Sequence, residues 1–468
     1  MRLGRTSSRP PACAGIKANA TTTRLPTLEH YNRPTSPNRG LLAPAGTICS
    51  PCLVDGPRTP RQRGSVWLIC PSRGPTIRKS TMNSHDWHHQ AVTSQPSGLK
   101  PITVRKFERL NQQEQNEHWT ALNRWMAAQP IDCPRVRQTS TRMQAEVLRN
   151  EYAPRGAKTI IGLSAANGVG KSTLIKRLAH QLYRETVPTT DPGILPTRTV
   201  GTGATVDWIP QVYITLRAAS RIQEVNTALL SFLGYPTIGQ TRATTTRVVE
   251  AIRTHGVQLL ILDDAHMLKT SQADARDVLD YLKFLNTELG ELGGTMILVG
   301  ANLEDSDVYA DAQIATRLAP LQLQPHAIFP VSERARFQAM LRGVEEKFMC
   351  HLDTATTGTL TNELAGEIWQ RTQGYLGDIH RLITTVILET FDAGEDVITR
   401  ERLRAVPLSA RATAAEASLR EAATQRSRRT ENRRKKKAGS TPPAQTPSQD
   451  AAGSSSDGPT AAVPETKE

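Results

Sequence analysis

The sequence predicts an α/β fold: a three-layer sandwich with a mainly parallel sheet, followed by a helical subdomain and flanked by disordered tails. Three observations lead there. Two continuous apolar runs, Val257–Leu262 (VQLLIL) and Thr295–Val299 (TMILV), have the character of strands buried on both faces, as in parallel sheets. Amphipathic segments of helical period alternate with them, which is the signature of strand–helix–strand units. A third apolar run, Thr159-Ile160-Ile161, enters the glycine-rich stretch Gly162–Thr173 (GLSAANGVGKST), which leads into a helical pattern. Its core, G-x-G-K-S-T at 168–173, is the strongest chemical signal in the chain.

The chain has 468 residues, 38% of them hydrophobic, enough for a substantial core in two or three domains. The apolar residues concentrate between about 100 and 420, so the ends read as tails. A formal net charge of +14 suits a polyanionic partner, although tails are also basic for solubility. No segment resembles a signal h-region or approaches about 18 consecutive apolar residues, so a cytoplasmic protein without a membrane partner is expected. Of six cysteines, Cys49 and Cys52 form a C-x-x-C. Cys70, His85, His88 and His89 are the next possible ligands, but no strand or helix pattern there would fix a zinc site.

Residues 1–98, rich in Arg, Pro, Ser, Thr and Gly, read as disorder. Met82 opens a more conventional segment, and an over-extended start accounts for 1–81 as readily as a translated tail. A helical N-terminal extension is expected over 99–152. Phe107, Leu110, Trp119, Leu122, Trp125 and Met126 give its first helix, ended by Pro130, and Met143, Val147 and Leu148 give a second at about 138–150. Both helices are expected to pack on the nucleotide domain, their aromatic residues as core. That domain spans 153–330. A strand at 159–163 is followed by a helix at 171–184 and an irregular stretch at 186–207 that is a loop or a pair of short strands. Strand Gln211–Leu216 and helices at 221–233 and 242–255 lead to the 257–262 strand. A helix at 272–290, the 295–299 strand, a short helix within 311–318 and a weak strand Leu321–Leu323 complete it. A helical subdomain at 331–407 follows, with helices at 331–349, 361–372, 377–391 and 399–405. Residues 408–423 are helix-compatible, and the basic cluster Arg426–Lys437 opens a disordered tail to 468.

The phosphate-cradling pattern is G-x-x-x-x-G-K-[ST], and reading back from Gly170 puts Ala165 where its first glycine belongs. Gly168 and Gly170 still let backbone N–H groups converge on an anion, and Asn167, Val169 and Thr173 complete the loop. Lys171 is placed to reach the β- and γ-phosphates, and Ser172 to offer a hydroxyl to Mg2+. Thr173 is expected to pack or cap. The 257–262 strand ends in Asp263-Asp264-Ala265-His266. Asp263 is the candidate for orienting a metal-bound water, so Ser172 and Asp263 are the metal candidates, and Asp264 sits where a glutamate usually activates the attacking water. His266 is a polar neighbour or an ordinary helix-start residue. Asn302, at the end of the neighbouring strand, can hold the lytic water, and Arg317, with no obvious local acid, can reach a nucleotide held by an adjacent subunit.

These segments resemble the AAA+ ATPases, and among them the transposition regulators of the TniB/TnsC type. The likeness is carried by GLSAANGVGKST at 162–173, LLILDDAHML at 259–268, TMILVGANL at 295–303, IATRL at 314–318 and GYLGDIHRL at 374–382. It implies a P-loop ATPase using ATP and Mg2+, with Lys171 and Ser172 in Walker A, Asp263 and Asp264 in Walker B, Asn302 as sensor 1 and Arg317 as arginine finger. Arg381 is implied as the sensor 2 residue, with His380 its rival. The resemblance further implies ring or helical self-assembly on double-stranded DNA and recruitment of a separate DDE-type transposase, with a target-selection protein as a further partner. A replication or helicase loader, or a nucleotide-gated scaffold with little hydrolysis, remains the alternative. Ala165 and Asp264 depart from the family pattern and put the rate of hydrolysis in question.

Overall fold

The computed structural model describes residues 82–94, 98–188, 191–201, 203–268, 275–352 and 358–438. The expectations for residues 1–81, Cys49 and Cys52 included, and for 439–468 lie outside the described residues. In chain order the helices and strands are α1 (Ser84–Thr93), α2 (Val104–Phe107), α3 (Gln112–Ala128), α4 (Pro134–Tyr152), β1 (Ile160–Ala165), α5 (Lys171–Thr186), β2 (Thr197–Thr199), β3 (Thr205–Asp207), β4 (Gln211–Thr215), α6 (Ile222–Phe232), α7 (Thr241–His255) and β5 (Leu259–Asp263). There follow α8 (Ala275–Glu291), β6 (Thr295–Gly300), α9 (Asp307–Ala310), α10 (Ala312–Ala315), β7 (Leu318–Leu323), α11 (Val331–Phe348), α12 (Ala365–Thr372), α13 (Leu376–Asp392), α14 (Arg400–Ala405) and α15 (Ala410–Ala438).

Five strands form one parallel sheet in the order β4-β5-β6-β1-β7. Every residue of β1, β5 and β6 is buried, which is why these strands read as unbroken apolar runs; edge strand β7 is only partly covered and reads weakly. Helices α4 and α5 pack on β1, β6 and β7, while α6 and α8 pack on β4 and β6. The result is the AAA+-like three-layer sandwich with a helical lid. The connection from β1 runs to β4 on one side, whereas β6 connects across β1 to β7 on the other, so the strand order reverses at β1. The irregular 186–207 stretch includes the antiparallel pair β2–β3.

The lid, α11–α14, has its own core around Phe337, Phe348, Ile379, Leu382, Ile387 and Phe391. Here the expectation for the N-terminal extension needs correction. Val104 of α2 and Leu122 and Met126 of α3 belong to the lid core, whereas Met143 of α4 belongs to the sheet core. The aromatic residues of α3 are packing residues: Trp119 stacks near Phe391 at 6.2 Å and Trp125 meets Phe348 edge-on at 5.7 Å. Sequence periodicity marks a buried face but not the surface that buries it, so the split between two cores was not legible.

Two further corrections concern the tails. Residues 84–93, within the stretch expected to be disordered, form α1, closed by a capping box between Asn83 and Asp86. Trp87 of this helix is 1% exposed and joins the sheet core. At the other end, α15 runs through the basic cluster to Ala438. Its first turn is clamped to the lid: Arg411 stacks 3.6 Å over the Tyr375 ring, pairs with Asp378 and donates to the Thr372 carbonyl at 3.0 Å. From Ser418 to Arg434 every residue is exposed.

Candidate functional site

Backbone geometry makes the loop after β1. Gly168 and Gly170 hold φ of +85° and +99°, a left-handed conformation that costs glycine little. Gly170 is the N-cap of α5, and no side chain caps that helix, so its first-turn N–H groups stay open to an anion. Ala165, standing where the motif has glycine, is still a strand residue paired with Leu323 and needs no positive φ. Val169 is buried beneath the loop. Lys171 begins α5 with its side chain largely buried, and its ammonium donates to Asn167 Oδ1 at 2.8 Å. Ser172 follows, half-buried, on the same first turn. Thr173, expected to pack or cap, is exposed, and no side chain caps α5.

The acidic side is built from β5 and β6. Asp263, 2% exposed, closes β5; its Oδ1 accepts the Asp264 N–H at 2.9 Å and its Oδ2 accepts the Tyr213 hydroxyl. Burial and then the Asp263 charge hold the Tyr213 phenol well above its ordinary range, so the hydroxyl remains a donor. Asp264 Oδ1 lies 4.0 Å from Lys171 Nζ, which joins the acidic strand end to the glycine loop. Asp264 and Asn302 both have left-handed backbones, with φ of 56° and 49°, and each opens a 3-10 turn. His266 ties the two turns together, its Nδ1 accepting the Ala301 N–H at 3.2 Å. Ser164, in β1, accepts the Leu303 N–H at 3.1 Å and donates to Glu304, fixing the turn that carries Asn302. The Asn302 side chain is exposed and makes no hydrogen bond among the described residues.

One backbone hydrogen bond joins the lid to the loop. The Gly377 N–H donates to the Gly168 carbonyl at 2.9 Å, and a Cβ at Gly377 would lie 3.0 Å from that oxygen. Arg381 follows one helical turn later on α13, exposed. His380 is engaged elsewhere: its Nε2 bonds the Gln129 carbonyl at 2.8 Å. Arg317 is not brought to this site. It precedes β7 at the start of the parallel sheet, where its carbonyl accepts the Ile160 N–H at 2.8 Å. The five strand steps from Ile160 to Ala165 put it about 17 Å from the loop. Its exposed guanidinium is available only to something outside this subunit's own loop.

The structure therefore gathers Asn167–Ser172, Asp263, Asp264 and Asn302 at one sheet edge, with His266 as the polar neighbour that was one of its two expected readings, and sequence reasoning missed Tyr213, Ser164 and Gly377 as their supports. Tyr213 carried a signal, a phenol between two apolar residues of a strand, because a buried hydroxyl needs a partner. Among the described residues no cluster of His, Cys, Asp and Glu forms a metal cage, and no helix is long and apolar enough to cross a membrane.

Residues 122–328 match the family model described as Bacterial TniB protein. The chain carries a TniB region. That region starts within α3 and ends before α11, so it includes the whole sheet and the glycine loop and leaves out the lid. No curated protein matches the chain. Solved structures similar to it include the Aeropyrum pernix ORC2 protein in ADPNP-ADP complexes, at 14% identity over 70% of this chain and 72% of that one, TM-score 0.38. The Aeropyrum pernix ORC1 protein in complex with DNA is similar at 15% identity over 64% and 69%, TM-score 0.42. Cdc6p from Pyrobaculum aerophilum is similar at 15% over 59% and 68%, TM-score 0.39. At such values these likenesses carry nothing about activity or partners.

Proposed function

We propose that this chain is an ATP-dependent AAA+ regulator of DNA transposition, which assembles on double-stranded DNA and recruits or activates a separate DDE-type transposase. The observation that carries the ATP reading is the convergence of Lys171, Asp263, Asp264 and Asn302 on the open N-terminus of α5. These residues fit a Mg2+-nucleotide. Two left-handed glycines keep side chains off the loop, a buried ammonium lies between a neutral amide oxygen and, at 4.0 Å, the Asp264 carboxylate, and the Asp263 carboxylate is oriented by two donors.

In this reading the backbone of Asn167–Thr173 and the Lys171 ammonium bind the phosphates, and Ser172 and Asp263 hold Mg2+ through a hydroxyl and an oriented carboxylate. When bound, the metal-nucleotide supplies a polarised γ-phosphoryl group. Asp264 takes the proton of the attacking water on its carboxylate, and Asn302 orients that water through its amide. The Asp264 side chain is one methylene shorter than glutamate, roughly 1.5 Å of reach. Turnover is therefore slow, and ATP serves chiefly as an assembly switch. Arg381 senses the nucleotide from the lid, and Arg317 supplies positive charge to the site of the next subunit in a ring or filament. The DNA part of the proposal is supported by the net charge of +14 and by the exposed basic length of α15; the transposition part rests on the TniB region.

ATP turnover with and without duplex DNA tests this function. The regulator reading expects slow hydrolysis that changes when DNA is added, and loss of about 100-fold or more in Asp264→Asn with nucleotide binding retained. Background turnover with no effect of nucleotide on DNA retention would leave only a scaffold.

A further inference from the structure

The helix α1 lies far from the glycine loop in sequence, yet it packs on the back of the acidic side of the site. The Trp87 indole stacks on the Tyr213 ring with centroids 5.0 Å apart and planes 10° apart, and its N–H donates to Gln211 Oε1 at 3.3 Å. Lys176, on α5, lies 5.1 Å from the centroid of that same tyrosine ring. The tyrosine hydroxyl then donates to Asp263 Oδ2. A continuous packed line thus runs from an N-terminal helix through one aromatic ring to the carboxylate that closes β5.

Helix α1 is firmly seated. His88 bonds the Tyr183 hydroxyl at 2.8 Å through Nδ1 and the Asp191 carbonyl at 2.7 Å through Nε2. Arg184 donates to the Ala91 carbonyl at 2.7 Å, and the Trp87 ring meets His180 edge-on at 4.5 Å. Burial of one tryptophan removes about 150–250 Å² of surface from water, which adds to these bonds in anchoring the ten-residue helix.

We infer that Tyr213 is a positioning residue for Asp263, and that α1 is the strap that holds Tyr213 in place. This rests on the nucleotide reading of the site. A carboxylate that holds a metal through one lone pair is oriented by the bonds to its others, and such supporting partners typically change metal affinity by 10–100-fold when removed. Tyr213 supplies one of the two hydrogen bonds seen on Asp263, and the other comes from the adjacent backbone, which substitution does not remove. Displacement of α1, by a partner or by loss of the N-terminal segment, then weakens Mg2+-dependent nucleotide capture while leaving the phosphate loop intact.

The test is a titration of the full chain with a fluorescent ATP analogue, once in EDTA and once in Mg2+. Tyr213→Phe keeps the ring stack and removes only the hydroxyl. Its affinity in EDTA should stay within about twofold of the parent, and its gain on adding Mg2+ should shrink about 10-fold or more. Trp87→Leu should shrink the gain in the same direction, and the double variant should lose no more than Tyr213→Phe alone, because both act through one bond. A full Mg2+ gain in Tyr213→Phe overturns the inference, as does an equal loss with and without metal, which would mark a purely structural role. Additive losses in the double variant overturn the strap. Lys171→Ala in the same titration separates the two levels. If it binds nucleotide normally the site reading itself fails, whereas if it does not bind and Tyr213→Phe is unaffected only the positioning role fails.

Discussion

The Gly377 N–H donates to the Gly168 carbonyl at 2.9 Å, so the first turn of a lid helix rests directly on the glycine loop. No side chain fits between them, since a Cβ at Gly377 would sit 3.0 Å from that oxygen and 3.7 Å from the Gly168 Cα. Gly377→Val should therefore lift the lid from the loop and weaken nucleotide binding about 10-fold, with little change in thermal stability, because the position is exposed. Calorimetric titration with a non-hydrolysable ATP analogue checks it.

Arg317 lies at the far edge of the sheet from its own loop, exposed at the start of β7. In the proposed shared site, an arginine so placed serves the nucleotide of a neighbouring subunit. Arg317→Ala and Lys171→Ala proteins, each inactive alone, should regain part of the ATPase when mixed, since each supplies what the other lacks. Mixed samples that stay at background would remove the shared-site role.

Stability should fall in mild acid. Burial pushes His180, His326 and His351 down to about 4, helped at His180 by Arg184 and Lys176, at His326 by Arg135 against Glu333, and at His351 by His118. All three are neutral in the fold, whereas the unfolded chain takes up protons near 6.5. Their contribution is therefore present above pH 6.5 and is lost as pH falls from there toward 4. Each costs roughly 1.4 kcal/mol per pH unit over that window, so three remove a large part of a domain's margin of about 5–15 kcal/mol. Melting temperatures from about pH 7.5 to about pH 5 should drop steeply, and His351→Leu should flatten the slope.

Helix α15 projects exposed arginines at 420, 426, 428, 429, 433 and 434. Truncation after Ala423 should make the dependence of DNA affinity on salt shallower, by about 0.9 log unit for each phosphate no longer neutralised. An unchanged slope would assign these charges to solubility.

Much of this was legible in the sequence because parallel-sheet strands are buried on both faces. Val257–Leu262 and Thr295–Val299 announce themselves, and the carboxylate and amide that follow them land at one edge. The supports of the site were less visible. Tyr213 reads as an ordinary strand residue until Asp263 is seen beside it, and Gly377 gives no local sign of the loop it touches. Trp87 sits in a short helix between polar stretches, where composition argues for disorder, and its burial together with the bonds of His88 and Arg184 outweighs that. The run of α15 through Arg426–Lys437 was missed for the opposite reason: like charges argue against order, yet arginine and lysine are good helix formers and the clamp at Arg411 starts the helix.

Nucleotide-dependent assembly on duplex DNA, followed by co-sedimentation of the parent chain and Lys171→Ala with ATP, a non-hydrolysable analogue, ADP or no nucleotide, tests the central claim most directly. The parent should assemble with ATP or the analogue and not with ADP, and Lys171→Ala should not assemble under any of these conditions. Assembly of Lys171→Ala equal to the parent, or assembly of the parent indifferent to nucleotide, would contradict an ATP switch built on the Gly162–Thr173 loop.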